Sequence, residues 1–222
     1  ERERRHWSFV EAVLSCFERW FSPSYVHVRT SDRFSDPRPF AWQGFDLVPR
    51  HSYVVDLRHD PEDLLAAFSS DARSNVRDAR DDDRVTVAEG GADAIERIIG
   101  QVIERHEEQD ETYLVTPEYV TDLYETLPAG VVRPYEARLN GEFAGGMVTL
   151  ELEDTIYRWQ GGAKPDADVP INDLLDWEII REARARDRTR YDLVGANDRR
   201  IARYKAKFAP DLVTFHSIVA ST

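Results

Sequence analysis

The strongest local signal in this chain is the dipeptide Asn140-Gly141, set between two runs of strand-forming residues. Val131 to Leu139 precedes it and Glu142 to Leu152 follows. Asn and Gly both tolerate the positive φ angles of a two-residue hairpin turn, so the pair predicts two antiparallel strands. A tight Glu153-Asp154 turn then leads into a third strand, Thr155 to Gly161, which makes a meander. A meander must bury a face, and the flanking segments supply the cover. Upstream, Ile95, Ile98, Ile99, Val102, Ile103 and His106 recur at helical spacing. Thr116-Pro117-Glu118 starts a second helix, with Thr116 as N-cap and Pro117 at the first helical position. Its apolar face is Val120, Leu123, Tyr124 and Leu127.

Downstream, a loop from Gly162 to Val169 leads into a long helix, Pro170 to Arg186, bearing Ile171, Leu174, Leu175, Ile179 and Ala183. Arg190 to Val194 reads as a strand, Asp198 to Lys207 as a short helix and Leu212 to Val219 as a closing strand. In the first ninety residues, Glu1 to Phe21 is predicted helical, with a stripe of Val10, Val13, Leu14, Phe17, Trp20 and Phe21. Ser24 to Thr30 and Ser52 to Arg58 read as strands, with a Ser/Asp/Pro-rich loop from Ser31 to Pro39. Pro61 opens a helix that carries Leu64, Leu65 and Phe68 and runs on through Ser74 to Ala79; Arg84 to Glu89 is a further strand before the Gly90-Gly91 break. The expected class is α/β (α+β): a mixed, mostly antiparallel twisted sheet flanked by helices, with one βαβ-like crossover.

Charge narrows the partners. The net charge is -13, and 26 arginines stand against three lysines, Lys164, Lys205 and Lys207. General nucleic-acid binding needs clustered cations and is disfavoured, although one local basic patch is compatible with the composition. An acidic, lysine-poor surface suits a high-salt cytoplasm, and a GC-rich genome also favours Arg over Lys. The lone cysteine, Cys16, excludes an internal disulfide, and no Cys/His cluster has zinc spacing, so no metal is expected. The apolar runs are only a few residues long, which predicts no membrane insertion and a cytoplasmic location. The chain starts at Glu1 and has Met147 as its single methionine, so the natural start is expected to lie outside it.

Several strings in this order resemble the GNAT acyltransferases, and within them the Fem-type aminoacyl-transferases that build peptidoglycan cross-bridges. Tyr157-Arg158-Trp159-Gln160-Gly161-Gly162 is similar to their strand-ending Tyr-x-x-x-Gly-Gly. Tyr191-Asp192-Leu193-Val194-Gly195 resembles their Tyr-Asp-Phe-Gly-Gly, and Tyr204-Lys205-Ala206-Lys207-Phe208 their aromatic-Lys-x-x-Phe. Tyr53 to Leu57 and the helix around Arg73 to Ala79 resemble the end of the first of two GNAT-like halves. The resemblance spans roughly residues 50 to 220 and implies a trailing part of a first half in 1–91, followed by a GNAT-like acyltransferase domain in 92–222. The chain departs from the pattern at Val194-Gly195-Ala196, at Phe208-Ala209-Pro210 and in the donor loop, where the usual Gln/Arg-x-x-Gly-x-Gly is missing.

The implied activity is N-acyl transfer, in which a primary amine of a small molecule or peptide attacks an activated acyl or aminoacyl donor directly. Orientation, proton removal and stabilisation of the carbonyl oxygen carry such a step, with no protein nucleophile. The implied donor is acyl-CoA or an aminoacyl-tRNA held by its 3′ end. The atypical loop suggests a donor other than ordinary coenzyme A thioester, or a modified grip on it. Gly161, Gly162 and Asn172, at the strand-to-helix junction, and Lys205 are the candidate donor-binding residues; a plain glycine turn is the alternative reading of the junction. Asp192 is the candidate catalytic carboxylate, or else a structural one that fixes the neighbouring loop. Tyr157 and Trp159 are a candidate substrate wall or core packing, and Lys207 is a candidate substrate contact; Lys205 and Lys207, with Arg199, Arg200 and Arg203 on one short helix, are a candidate phosphate contact or else a solvated basic helix end. Cys16 is expected in the apolar stripe, His106 as a satisfied helix-end histidine, and Arg73 and Arg77, one helical turn apart, as partners of Asp71, Asp78 and Asp81 or else as an anion clamp. A non-catalytic GNAT-fold module that binds a nucleotide, sugar or partner protein is the rival function, and surface-polysaccharide modification a third.

Overall fold

The computed structural model of the chain describes residues 1–164 and 167–221. Its contacts divide into two compact units: a smaller one of Glu1–Ser52, Gly195–Arg199 and the chain from Leu212, and a larger one of Tyr53–Val194 and Arg200–Asp211. The boundary predicted at residues 91/92 falls inside the larger unit.

The chain opens with α1 (Arg2–Phe21), β1 (Tyr25–Arg29), α2 (Arg38–Trp42) and β2 (Asp46–Asp56). Next come α3 (Pro61–Ala67), α4 (Ser70–Arg80), β3 (Val85–Glu89), α5 (Ala92–Glu107) and α6 (Pro117–Thr126). The meander is β4 (Val132–Leu139), β5 (Glu142–Leu152) and β6 (Thr155–Ala163), followed by α7 (Ile171–Ala185), β7 (Arg190–Asp192), α8 (Arg199–Lys205) and β8 (Asp211–Ser221). The eight strands run in the order β1-β8-β2-β7-β6-β5-β4-β3. Pairing is antiparallel from β3 to β6 and between β2 and β7, and parallel between β6 and β7. This is the mixed, mostly antiparallel α/β architecture that the sequence predicts.

In the larger unit both faces of the sheet are covered, because successive strand residues point to opposite sides. Along β5, Met147 joins a core with Phe68, Val76, Leu175 and Tyr191, while the next residue, Val148, joins Ile95, Ile98, Val120 and Val132. One face is therefore packed by α4 and α7 and the other by α5 and α6. Asn140 and Gly141 have φ of 54° and 84°, which places both hairpin positions in the left-handed region. The Thr116 hydroxyl accepts the Tyr119 N–H at the start of α6, as expected of an N-cap. Replacing Thr116 by alanine is expected to cost about 1 kcal/mol, read as a lower midpoint in urea denaturation.

Three expectations are corrected here. The helix opened by Pro61 does not run on: Phe68 is extended, and Ser69 caps a new helix by accepting the Ala72 N–H at 3.2 Å. The break turns Phe68 into the core, edge-on to Trp177 and Phe208 at 5.8 and 5.2 Å. A five-residue helix, α2, forms at the end of the Ser/Asp/Pro loop, where burial of Pro39 and Phe40 fixes a segment too short to show periodicity. Strand β6 continues to Ala163, so Gly162 and Ala163 belong to the sheet; of the predicted loop, residues 165 and 166 lie outside the described residues.

In the smaller unit β1 pairs antiparallel with β8, Val26 opposite Ala220. Its core is Val10, Phe40 and Ile218, with Leu14, Val28, Phe34, Phe45 and Leu47 against it. The stripe expected on α1 is thus buried at Val10 and half-buried at Val13 and Leu14. Phe17, Trp20 and Phe21 are exposed, and Cys16 is exposed rather than in the core. Helical spacing placed them together, but only the Val10 end of the stripe reaches the core of this unit. No helix among the described residues is long and apolar enough to cross a membrane.

Candidate functional site

The parallel pairing of β6 with β7 lasts three residue pairs: Thr155 with Arg190, Ile156 with Tyr191 and Tyr157 with Asp192. Beyond them β6 continues for six residues to Ala163, while β7 ends and the chain turns away. The two strands form a fork whose prongs are the carboxyl ends of neighbouring parallel strands, the place where ligands collect in α/β sheets. Tyr157, Trp159 and Gly161 lie half-buried along the β6 prong. A slip in register between Val148 and Thr149 leaves Trp159 without a partner on β5, a bulge that bends the prong. Trp159 packs against the α5/α6 core, while Arg158, one residue earlier, turns to the opposite side.

The β7 prong ends in strained backbone. Val194 has φ 51°, a region that a β-branched side chain enters only at a cost of order 1–3 kcal/mol. Two candidate residues hold it there. The Asp192 carboxylate accepts the Val194 N–H at 2.8 Å, and the buried Lys205 ammonium donates to the Val194 carbonyl at 2.8 Å. Asp192 and Lys205, thirteen residues apart in sequence, therefore meet on one residue at the mouth of the fork. The Asp192 contact is the loop-fixing carboxylate that the sequence left as an alternative. Lys205 is not part of a solvated helix end; Arg199, Arg200 and Arg203 are exposed, and it is buried.

Gly161, Gly162 and Asn172 meet at the other prong, and the reason for the glycines is close packing. A Cβ on Gly161, where φ is 134°, would lie 2.1 Å from the Gly146 carbonyl oxygen. A Cβ on Gly145 would lie 2.6 Å from Ala163 Cα. Strands β5 and β6 are pressed together through a glycine pair on each side. Asn172, in the first turn of α7, accepts the Ala163 N–H at 2.8 Å and so satisfies the last donor of the strand. The guanidinium of Arg105, on α5, reaches the same end of β6, 3.2 Å from where a Gly162 Cβ would sit.

Beneath the fork lies a charged cluster that the sequence reading missed. Asp176, fully buried on α7, accepts from Arg158 Nε at 2.8 Å, the Tyr191 hydroxyl at 2.6 Å and the Tyr204 hydroxyl at 3.1 Å. Asp173, one turn earlier and 2 % exposed, accepts from Asn75 Nδ2 at 2.6 Å and the Tyr204 hydroxyl at 3.1 Å, and pairs with Lys207. Two carboxylates face two cations, so the cluster balances in charge. Burial drives the Tyr191 and Tyr204 phenols well above their ordinary pKa, with Asp176 adding to the effect, so both remain hydrogen-bond donors. Burial pulls the Arg158 guanidinium downward, but Asp176 outweighs it and the net shift is upward. The available signal was Asp173 and Asp176 at i, i+3 between Ile171, Leu174, Leu175 and Trp177, two acids on an apolar helix face. Lys207, a candidate substrate contact, is committed to Asp173, with its ammonium 4.1 Å from the Tyr204 ring centroid.

Two smaller expectations resolve in the same region. His106 Nδ1 lies 2.8 Å from the Val102 carbonyl and its ring stacks on Tyr113 at 4.6 Å, a helix-end histidine as expected. Arg73 donates to the Ala66 and Phe68 carbonyls rather than to the nearby aspartates, because the break at Phe68 turns those carbonyls toward it. Among the described residues no group of three or more His, Cys, Asp or Glu is placed to hold a metal ion.

A pyrophosphate bound at a strand-to-helix junction is held by backbone N–H groups. Residues 163–172 read Ala-Lys-Pro-Asp-Ala-Asp-Val-Pro-Ile-Asn, with two prolines that lack an N–H and two aspartates. The Ile171, Asp173 and Leu174 N–H groups bond to the Val169 and Pro170 carbonyls.

The model of the family described as "Acetyltransferase (GNAT) domain" matches residues 66–206. No curated protein matches the chain. The solved structure of FemX superposes with a TM-score of 0.71 at 12% identity, covering 95% of this chain and 76% of that one. The C-terminal domain of a putative lysylphosphatidylglycerol synthetase from Agrobacterium fabrum gives 0.65 at 16% identity, covering 97% and 72%. L-PGS from Bacillus licheniformis gives 0.56 at 13% identity, covering 84% and 64%. At such identities these structures show a shared fold and nothing finer. The family match takes in the meander, the β6/β7 fork and the α7 cluster, and with well over half of the sequence inside it the chain belongs to the GNAT acetyltransferase domain family.

Proposed function

We propose that the chain is an N-acyltransferase that moves an acyl or aminoacyl group from an activated donor to a primary amine by direct attack. The observation that carries this reading is the β6/β7 fork. Past Tyr157 and Asp192, strand β6 runs on with no β7 partner, so the edge between there and Ala163, whose N–H Asn172 takes, is the place for an extended substrate arm. An amine that enters at the mouth reaches Asp192, whose carboxylate removes the proton as attack proceeds. Lys205 keeps the strained Val194 peptide in place beside it. Tyr157 and Trp159 form the wall against which the donor arm lies, and Gly161, Gly162 and Asn172 set the shape of its far end. The donor class is acyl-CoA or aminoacyl-tRNA, the latter held by its 3′ end, and the acceptor is an amine on a small molecule or peptide.

The test is transfer itself. The protein is incubated with a panel of labelled acyl-CoAs and aminoacyl-tRNAs and with mixed amine acceptors, and products are read by mass spectrometry. An amide product is expected, with kcat lowered about 100-fold in Asp192→Asn and KM little changed. Full activity in that variant removes Asp192 as the base, and the absence of any product across both donor classes overturns the catalytic reading.

A further inference from the structure

The N-terminus of a long helix attracts an anion, because its first N–H groups and its dipole both favour negative charge. The first turn of α7 already carries a buried carboxylate. Asp173 is the third residue of the helix and is 2 % exposed, so its carboxylate lies in the first turn where a bound phosphate would otherwise gain most. It is also fully provided with donors. Asn75 reaches it from α4, the Tyr204 hydroxyl from α8, and the Lys207 ammonium from the turn after α8. Cation, amide and hydroxyl around a helix N-terminus make an anion cradle, and here the chain fills that cradle with a side chain of its own. The preceding loop adds further negative charge with Asp168, which is exposed. A second anion brought to the same turn would meet Asp173 at close range in a poorly solvated setting, where like charges repel strongly.

We infer that Asp173 is a built-in substitute for a ligand anion at α7, so that the donor is held in the fork without a pyrophosphate at this helix. The inference rests on the acyl-transfer reading of the fork, and it narrows the donor to one gripped through its acyl-bearing arm. In such a donor the part that lies along β6 supplies the contacts, and any phosphates lie away from α7.

Binding to the whole protein tests this without turnover, by titration calorimetry with coenzyme A, pantetheine and inorganic pyrophosphate as probes. Wild-type protein is expected to hold coenzyme A no more tightly than pantetheine and to show no response to pyrophosphate. Asp173→Asn keeps the shape but removes the charge, which leaves Lys207 and the helix N-terminus unneutralised. This variant is expected to gain at least about tenfold in affinity for pyrophosphate. Coenzyme A bound more than about tenfold tighter than pantetheine, and displaced by pyrophosphate, overturns the inference while the acyl-transfer reading stands. A folded Asp173→Asn protein that gains no pyrophosphate affinity also overturns it. Should that variant fail to fold, the wild-type comparison of coenzyme A with pantetheine decides alone.

Discussion

Asp176→Ala is expected to destabilise the protein by about 3–5 kcal/mol, the usual cost of leaving a buried charge without its partner. The carboxylate is fully buried and receives Arg158, Tyr191 and Tyr204 together. Its removal strands a guanidinium and two hydroxyls in the interior, each with a desolvation cost no longer met by an acceptor. The site of the damage matters as much as its size. Tyr191 is on β7 within the last paired residues, and Arg158 is the first β6 residue beyond them. One carboxylate thus ties the two prongs at the point where the sheet hydrogen bonds stop. The measurement is urea denaturation of the single variant beside the double variant Asp176→Leu, Arg158→Met. The double variant replaces both ions with apolar groups and is expected to recover most of the loss. A single variant within about 1 kcal/mol of wild type would mean that the cluster is solvated rather than buried.

The second large effect is at Gly161. Alanine there would place its Cβ 2.1 Å from the Gly146 carbonyl oxygen and 2.9 Å from Met147 Cα, in a backbone conformation with φ at 134°. Both neighbours are main chain of the adjoining strand, so they yield only if β5 and β6 separate. Overpacking and positive-φ strain each cost about 1–3 kcal/mol, and together they should exceed about 3 kcal/mol. Gly100→Ala, within α5 and with no atom within 4 Å of its Cβ, is the control. It is expected to stabilise by about 0.5–1 kcal/mol, because alanine is the better helix former. Thermal melts of the two variants should move in opposite directions. A neutral Gly161→Ala would show that the strands are not in tight contact at that residue.

Most of the fold was legible in the residues because its determinants are local. Asn140-Gly141 specified its own turn, Thr116-Pro117 its own helix start, and the 3.6-residue spacing of Ile95, Ile98, Ile99 and Val102 a helix with one buried face. Where a local signal was read too generously, tertiary packing corrected it. Phe68 leaves its helix because Trp177 and Phe208 offer it a core position, which no propensity encodes. Cys16 and Trp20 share a spacing with Val10, yet burial depends on what lies opposite, and only Val10 has Phe40 and Ile218 there.

The candidate site divides along the same line. Local strings pointed to Gly161, Asp192 and Lys205, since glycines and a strand-ending acid are visible as residue types. Their partners were not visible. Lys205 bonds to a carbonyl eleven residues away, Asp173 draws Asn75 from 98 residues away, and Arg158 finds Asp176 only because α7 crosses the sheet beneath it. Residue type and spacing set which groups are acidic, basic or free of a Cβ, because those properties belong to single residues and short turns. Only the crossover of α7 between β6 and β7 decided which charges meet and which are buried, because ion pairing and desolvation depend on distances through space.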